Sequence, residues 1–343
     1  MEYKRNYQFD NMKALLIFLV VLGHVFRNLG ANGDNYVVYK IIFSFHMPAF
    51  LFISGYFMKY NPKKLFARLF PLYLLFQVIQ TVERMAITCL QGGSLQDVRI
   101  DLFTPRWTLW YLVVLMAYQL LIPLIDTENR KHQLGFLILS VCLGLTIGIT
   151  DDTDNFLAMS RAFSFLPFFL LGFYERKNHF MLTYGKERFP RASKTGAAVM
   201  AAFLIFSFWL HNRRIDPKDF FGSEDYADVS AFLWRLLGWV FAFLWIMILL
   251  IWVPEKRIPV VETIGSNTMS VYLVHGGILI LLEASPLTGL IQHSIVGLTL
   301  LSVSLTLLLS WNGFERMLGK VRIHTQSGKV PYKPGNPDVP GRG

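Results

Sequence analysis

Cysteine is almost missing from this chain. The 343 residues contain two, Cys89 and Cys142, both inside apolar runs. Two such residues provide neither a disulfide framework nor a metal cluster, and Cys142 reads as a small buried hydrophobe. Charge is scarce as well: 16% of residues are charged, against 53% hydrophobic and 30 Phe. That balance is too apolar for an ordinary soluble domain and argues for a membrane setting. Also absent is any polar stretch long enough to form a separate soluble domain. The longest loops, 91–106, 175–194 and 212–228, reach only about 16–20 residues. Acidic residues are outnumbered, and the net charge is +10. No compact basic segment carries that excess, so a nucleic-acid footprint is excluded.

What the chain does contain is apolar runs. About ten segments are long enough, or nearly so, to span a bilayer. They cover 12–29, 38–59, 66–90, 107–125, 134–150, 157–174, 195–211, 229–253, 262–283 and 292–313. The fifth to seventh are short enough to be tilted or re-entrant. The first is followed by further spans, so it reads as a membrane helix, not a cleaved signal. The expected fold is an all-α polytopic membrane bundle of about ten transmembrane helices. Residues 1–318 form the membrane domain, and the Pro/Gly-rich residues 319–343 read as a disordered cytoplasmic tail.

Charge sets the orientation. With the N-terminus inside, most of the 33 Lys and Arg fall in cytoplasmic segments or at cytoplasmic helix ends. Among them are Lys4, Arg5, Lys59, Lys63, Lys64, Arg176, Lys177, Lys186, Arg188, Lys256, Arg257, Arg316 and Arg322. The loops assigned outside are acidic: Asp151, Asp152 and Asp154, then Asp216, Asp219, Glu224, Asp225 and Asp228. An even number of spans with both termini cytoplasmic fits this pattern.

The first span carries charge where a bland membrane helix has none. Lys13 and His24 are eleven residues apart, which returns to within about 20° of one face, about 16 Å along the axis. Asp10 and Arg27 share that stripe. A polar stripe in hydrocarbon must face protein or a water-filled cavity. His24, His46 in the second span and His275 in the ninth all fall in the outer third of a core about 30 Å thick. Glu83, Arg84, Arg161 and Arg235 fall near the same level. The inference is one polar chamber opening to the outer face, with Lys13, Lys63, Lys64 and Arg68 forming a cytoplasmic basic cluster. Each residue also has an ordinary reading. A lone membrane His can be a helix contact, and the Arg residues can snorkel. Lys63, Lys64 and Arg68 can be positive-inside anchors, while Trp107 and Trp110 suit an aromatic belt. Three His at one depth, one sharing a face with Lys13, favour the functional reading.

The order of motifs resembles the integral-membrane acyltransferase family 3, which acylates carbohydrates. The first-span pattern of that family stands here as Asp10, Lys13 and His24. Its second-span pattern stands as Phe45, His46, Pro48, Ser54, Gly55, Tyr56 and Phe57, followed by Lys63, Lys64, Arg68 and Pro71. WTLWYL at 107–112, FLPFFLLGFY at 165–174 and SVYLVH at 270–275 resemble later landmarks. Lys13 replaces the commoner Arg, and Asn11 stands where Gly is usual. The branch resembled most is the fucose 4-O-acetylase-like one.

The resemblance implies an O-acyltransferase of the bacterial inner membrane. It would move an acyl group, most simply acetyl, from cytoplasmic acyl-CoA to a sugar or polysaccharide hydroxyl. Acyl-CoA is then a donor substrate, with no bound cofactor and no metal. The partners are the lipid bilayer, the glycan acceptor and polysaccharide-assembly proteins. CoA phosphates call for Lys13, Lys63, Lys64 and Arg68. A sugar hydroxyl needs a base to attack a thioester, and a neutral His24 can serve as that base or as a transient acyl acceptor. Asp10 would position Lys13. His46 or Arg27 would orient the sugar or stabilise the oxyanion, with Glu83, Arg84, Trp107, Arg161, Arg235 and His275 completing the substrate site. A transporter or exporter of glycans is the main rival, but two homologous halves with broken midplane helices are not evident. A non-catalytic membrane partner in polysaccharide assembly is the other.

Overall fold

The computed structural model describes residues 7–30, 35–98, 100–149, 156–179, 190–211, 220, 222, 226, 229–285 and 288–321. The expected tail therefore lies almost wholly outside the described residues, as do the acidic residues of the outer loops. Lys4, Arg5, Lys186, Arg188 and Arg322 lie outside them too.

Described residues form helices and no strand: α1 (Tyr7–Leu29), α2 (Asn35–Phe57), α3 (Pro62–Leu90), α4 (Trp110–Ile125) and α5 (Arg130–Thr146). They continue as α6 (Met159–Asn178), α7 (Pro190–Leu210), α8 (Val229–Trp252), α9 (Pro259–Ser266) and α10 (Thr268–Glu283). α11 (Thr288–Ile291), α12 (Ile295–Leu309) and α13 (Asn312–Lys320) complete the order. Among the described residues six helices are long and apolar enough to cross a membrane, or eight if each of two bent pairs is one span. The pairs are α9 with α10, bent by 71°, and α12 with α13, bent by 53°. α4 and α7 are apolar but shorter.

α1 is the most buried of the six long helices and α5 the least. Phe9, Met12, Leu16, Ile17, Val21 and Val25 are all at most 1% exposed, so the apolar face of α1 is as enclosed as its polar one. α2, α9, α10 and α12 pack around it. Amide side chains tie its first turns to the end of α8. Gln8 Nε2 donates to the carbonyls of Leu250 (2.7 Å) and Val253 (3.1 Å) at the end of α8. Asn11 Nδ2 donates to those of Pro254 (2.8 Å) and Lys256 (3.0 Å). Gln8 thus satisfies the Leu250 carbonyl that the end of α8 leaves open, and Asn11 holds the loop that follows. The two helix breaks are stitched together in the same way: Asn267 Nδ2 donates to the Ser310 carbonyl (2.7 Å) and to Asn312 Oδ1 (2.7 Å).

α2 and α6 cross with their backbones almost touching. A Cβ on Gly55 would lie 2.0 Å from the Phe169 carbonyl oxygen, and one on Gly172 would lie 1.8 Å from that of Phe52. Small residues permit this approach between apolar helices. Replacing Gly172 by Leu should destabilise the folded bundle by about 1–3 kcal/mol or more, because the clash is with backbone that cannot rotate away. Thermal unfolding of the detergent-purified variant checks this, and an unchanged midpoint would refute the crossing.

One expectation needs correction. Cys142 is exposed, as is Cys89. The apolar run around Cys142 belongs to α5, whose outward face would meet lipid, so hydropathy there did not mean burial.

Candidate active site

The site begins with a row of polar side chains on α3. Tyr73, Gln77 and Thr81 recur every four residues and so share one face. Tyr73 donates to the Leu102 carbonyl (2.6 Å), and Gln77 Nε2 donates to those of Asp101 (2.7 Å) and Thr104 (2.8 Å). The Arg106 backbone N–H donates to Gln77 Oε1 (2.9 Å), and its Nε donates to Thr81 Oγ1 (2.9 Å). This clamp fixes the segment leading to Trp107, whose φ of 36° lies in the left-handed region. Backbone strain of this kind in a non-glycine residue persists only where its surroundings enforce it. The Trp107 ring then lies over Gly276 of α10, where a Cβ would come within 2.9 Å of it.

Trp107 packs edge-on to His24 at 4.9 Å between ring centroids, and His24 lies 5.4 Å from His275 and 5.2 Å from Phe43. His46 Nδ1 sits 2.8 Å from the Ile42 carbonyl and His275 Nδ1 2.9 Å from that of Val271. A carbonyl can only accept, so both Nδ1 atoms carry a proton, and in the neutral imidazole the lone pair is then on Nε2. His24 has no such tether: its Nδ1 is buried without a hydrogen-bond partner. A cavity of about 70 Å³ is lined by His24, Arg27, His46, Trp107 and Arg161, with Thr108 and Tyr272. Arg161 lies over the Trp110 ring at 5.2 Å. The cavity therefore combines imidazole lone pairs with two guanidinium groups.

A second cavity of about 260 Å³ is lined by Lys13, Ser54, Tyr111, Thr268 and Tyr272 among apolar side chains. Lys13 Nζ is 2.8 Å from Asp10 Oδ1, one helical turn away. Ser54 Oγ donates to the Phe50 carbonyl (2.9 Å), so Tyr111 donates the hydrogen bond between the two hydroxyls (2.6 Å). Val20, Met47 and Tyr272 line both cavities and form the partition between them. The Tyr272 hydroxyl is held by the Thr108 carbonyl.

Other expected site residues lie elsewhere. Glu83 faces Gly277 in a separate crevice, Arg84 is exposed, and Arg235 is buried over the Tyr226 ring at 4.4 Å. Lys63 and Lys64 are exposed in the first turn of α3, and Arg68 approaches Glu315 at 3.5 Å. None of the three lines the Lys13 cavity. His275 contacts His24 from behind the cavity wall. Sequence reasoning overlooked Tyr111, Thr108 and Tyr272. Tyr272 had a readable signal, standing three residues before His275 and hence on its helix face.

A multi-pass helical bundle with a buried His cluster and a separate Lys chamber defines an integral-membrane protein with an enclosed polar site. The chain belongs to the acyltransferase family 3, matching that family's acyltransferase domain over residues 6–311. It is similar to the nodulation protein NolL of Sinorhizobium fredii (strain NBRC 101917 / NGR234), 30% identical over 185 residues, 49% of this chain and 48% of that one. It is likewise 30% identical over 141 residues to NolL of Mesorhizobium japonicum (strain LMG 29417 / CECT 9101 / MAFF 303099), 37% of each chain. The matched stretches thus span about half or less of those relatives. No solved structure matches the chain.

Proposed function

We propose that this protein is an inner-membrane acyltransferase that moves acetyl from cytoplasmic acyl-CoA to a glycan hydroxyl. The reading includes about ten spans with both termini cytoplasmic, counting α4, α7 and each bent pair as one crossing. The observation that carries it is the pair of cavities set back to back along α1, one beside Lys13 and one beside His24, with a shared wall. On this topology Lys13 faces the cytoplasmic side and His24 the outer side. The donor enters beside Lys13, with Lys63, Lys64 and Arg68 attracting its phosphates at the membrane surface. The apolar Lys13 cavity takes the thioester arm, and Asp10 holds the lysine in place.

The acceptor hydroxyl occupies the His24 cavity among His46, Trp107 and Arg161. His24 takes the hydroxyl proton as the oxygen attacks the thioester carbonyl. Arg27 stabilises the oxyanion of the tetrahedral intermediate, while the His46 Nε2 lone pair accepts from a sugar hydroxyl and orients the acceptor. Collapse breaks the C–S bond, and the imidazolium returns its proton to the departing CoA thiolate. The exposed Arg84 and the separate positions of Glu83 and Arg235 give them no part in these steps.

Membrane vesicles of known orientation, supplied with radiolabelled acetyl-CoA and a glycan mixture, test the reading. Label should reach glycan only when the donor is on the cytoplasmic side. Lys13→Ala should raise the donor KM by about tenfold, the effect of one lost charge-assisted contact, with a smaller change in kcat. Absence of acetyl-CoA binding by the wild-type protein would overturn the proposal in favour of a transporter.

A further inference from the structure

The crevice that holds Glu83 is a site of a different kind. It lies between α3, α10 and α13 and has a volume of about 380 Å³. Most of its lining is apolar: Leu75, Phe76 and Ile79 of α3, Ile278 of α10, and Phe314 and Leu318 of α13. At one end stand two polar side chains, Gln80 and Glu83, one helical turn apart on one face of α3. Gln80 is 3% exposed, and neither its amide oxygen nor its amide nitrogen has a hydrogen-bond partner. Glu83 Oε2 is also buried without a partner. The carboxylate rests on α10 at Gly277, where a Cβ would lie 2.5 Å from Oε1.

Three orphaned polar atoms inside hydrocarbon are costly, and such groups ordinarily mark a bound partner. Their chemistry is specific. Glu83 Oε2 and Gln80 Oε1 accept, while Gln80 Nε2 donates. A primary ammonium satisfies both acceptors, and a neighbouring phosphate or ester oxygen satisfies the donor. Depth agrees. At 1.5 Å per residue the 29 residues of α3 span about 43 Å, about 13 Å more than a hydrocarbon core. With that excess shared between both ends, Glu83, seven residues before Leu90, lies within about 4 Å of the hydrocarbon edge. Head groups meet chains there. From that point the crevice runs down apolar wall toward Phe314 and Leu318, as a lipid chain would.

We propose that this crevice binds one aminophospholipid, its ammonium on Glu83 and Gln80 and one acyl chain along α3 and α13. The site is separate from the two cavities of the transfer reaction and stands whether or not that reaction is correctly read. Native mass spectrometry of the full-length protein in mild detergent tests it, with phosphatidylethanolamine and phosphatidylcholine of identical chains as probes. The second lipid carries no N–H donor.

Wild type should retain one phosphatidylethanolamine with about tenfold preference, the size of one hydrogen bond to a charged group. Glu83→Gln should bring the preference close to unity while leaving chain retention. Ile278→Trp, which fills the crevice from the α10 side and leaves the polar pair intact, should remove retention of both lipids. Equal retention of the two lipids by wild type would overturn the proposal. So would a preference that survives both substitutions, because the lipid would then sit elsewhere.

Discussion

His24→Gln should lower acyl transfer by at least about 100-fold at matched expression, the lower range for losing a positioned general base. Glutamine preserves much of the bulk and the hydrogen-bonding capacity of the imidazole, so packing against Trp107 and Phe43 is largely kept. It cannot accept the hydroxyl proton. The contrast with the other two histidines sharpens the test. His46 and His275 each donate Nδ1–H to a carbonyl four residues earlier, which fixes their rings and tautomers. His24 has no such tether, and two guanidinium groups share its cavity. Initial rates of label transfer from acetyl-CoA check the expectation. Near-normal transfer by His24→Gln would remove His24 both as base and as acyl acceptor.

Met47→Trp should abolish most transfer and lower donor binding by much less. Met47 lines both cavities, together with Val20 and Tyr272, and an indole there would thicken the wall across which the thioester must meet the hydroxyl beside His24. Holding the reacting groups even about 1 Å out of place costs about 100-fold, and a thicker wall separates them further. Acetyl-CoA should still bind the purified variant through Lys13, more weakly than wild type because the indole also narrows the cavity that takes the thioester arm. Met47→Leu conserves volume and should behave almost as wild type, which separates blockage from misfolding. Full transfer by Met47→Trp would mean that the two cavities do not communicate at this point.

Much of this architecture was legible along the chain. Helix periodicity put Asp10, Lys13, His24 and Arg27 on one stripe of the first helix, and α1 proves to be the buried centre of the bundle. Hydropathy located the apolar helices to within several residues. It could not foresee that 262–283 breaks at Asn267, or that 292–313 ends in a bend, since a break depends on partners such as Ser310 and Asn312. Hydropathy also gave Cys142 the wrong surroundings, because a membrane helix can be as apolar toward lipid as toward protein.

Depth grouped Glu83, Arg84 and Arg235 with the histidines, but depth says nothing about rotation around the helix axis. One turn of α3 directs Gln77 and Thr81 to the Trp107 loop, while Gln80 and Glu83 line a crevice of their own. Trp107 suited an aromatic belt until the α3 clamp and Gly276 placed it against His24. An all-helical, membrane-type chain with a charged first helix follows from local composition and a 3.6-residue period alone. Which polar side chains share a cavity depends on the neighbour each helix face meets, and that is a property of the packed bundle.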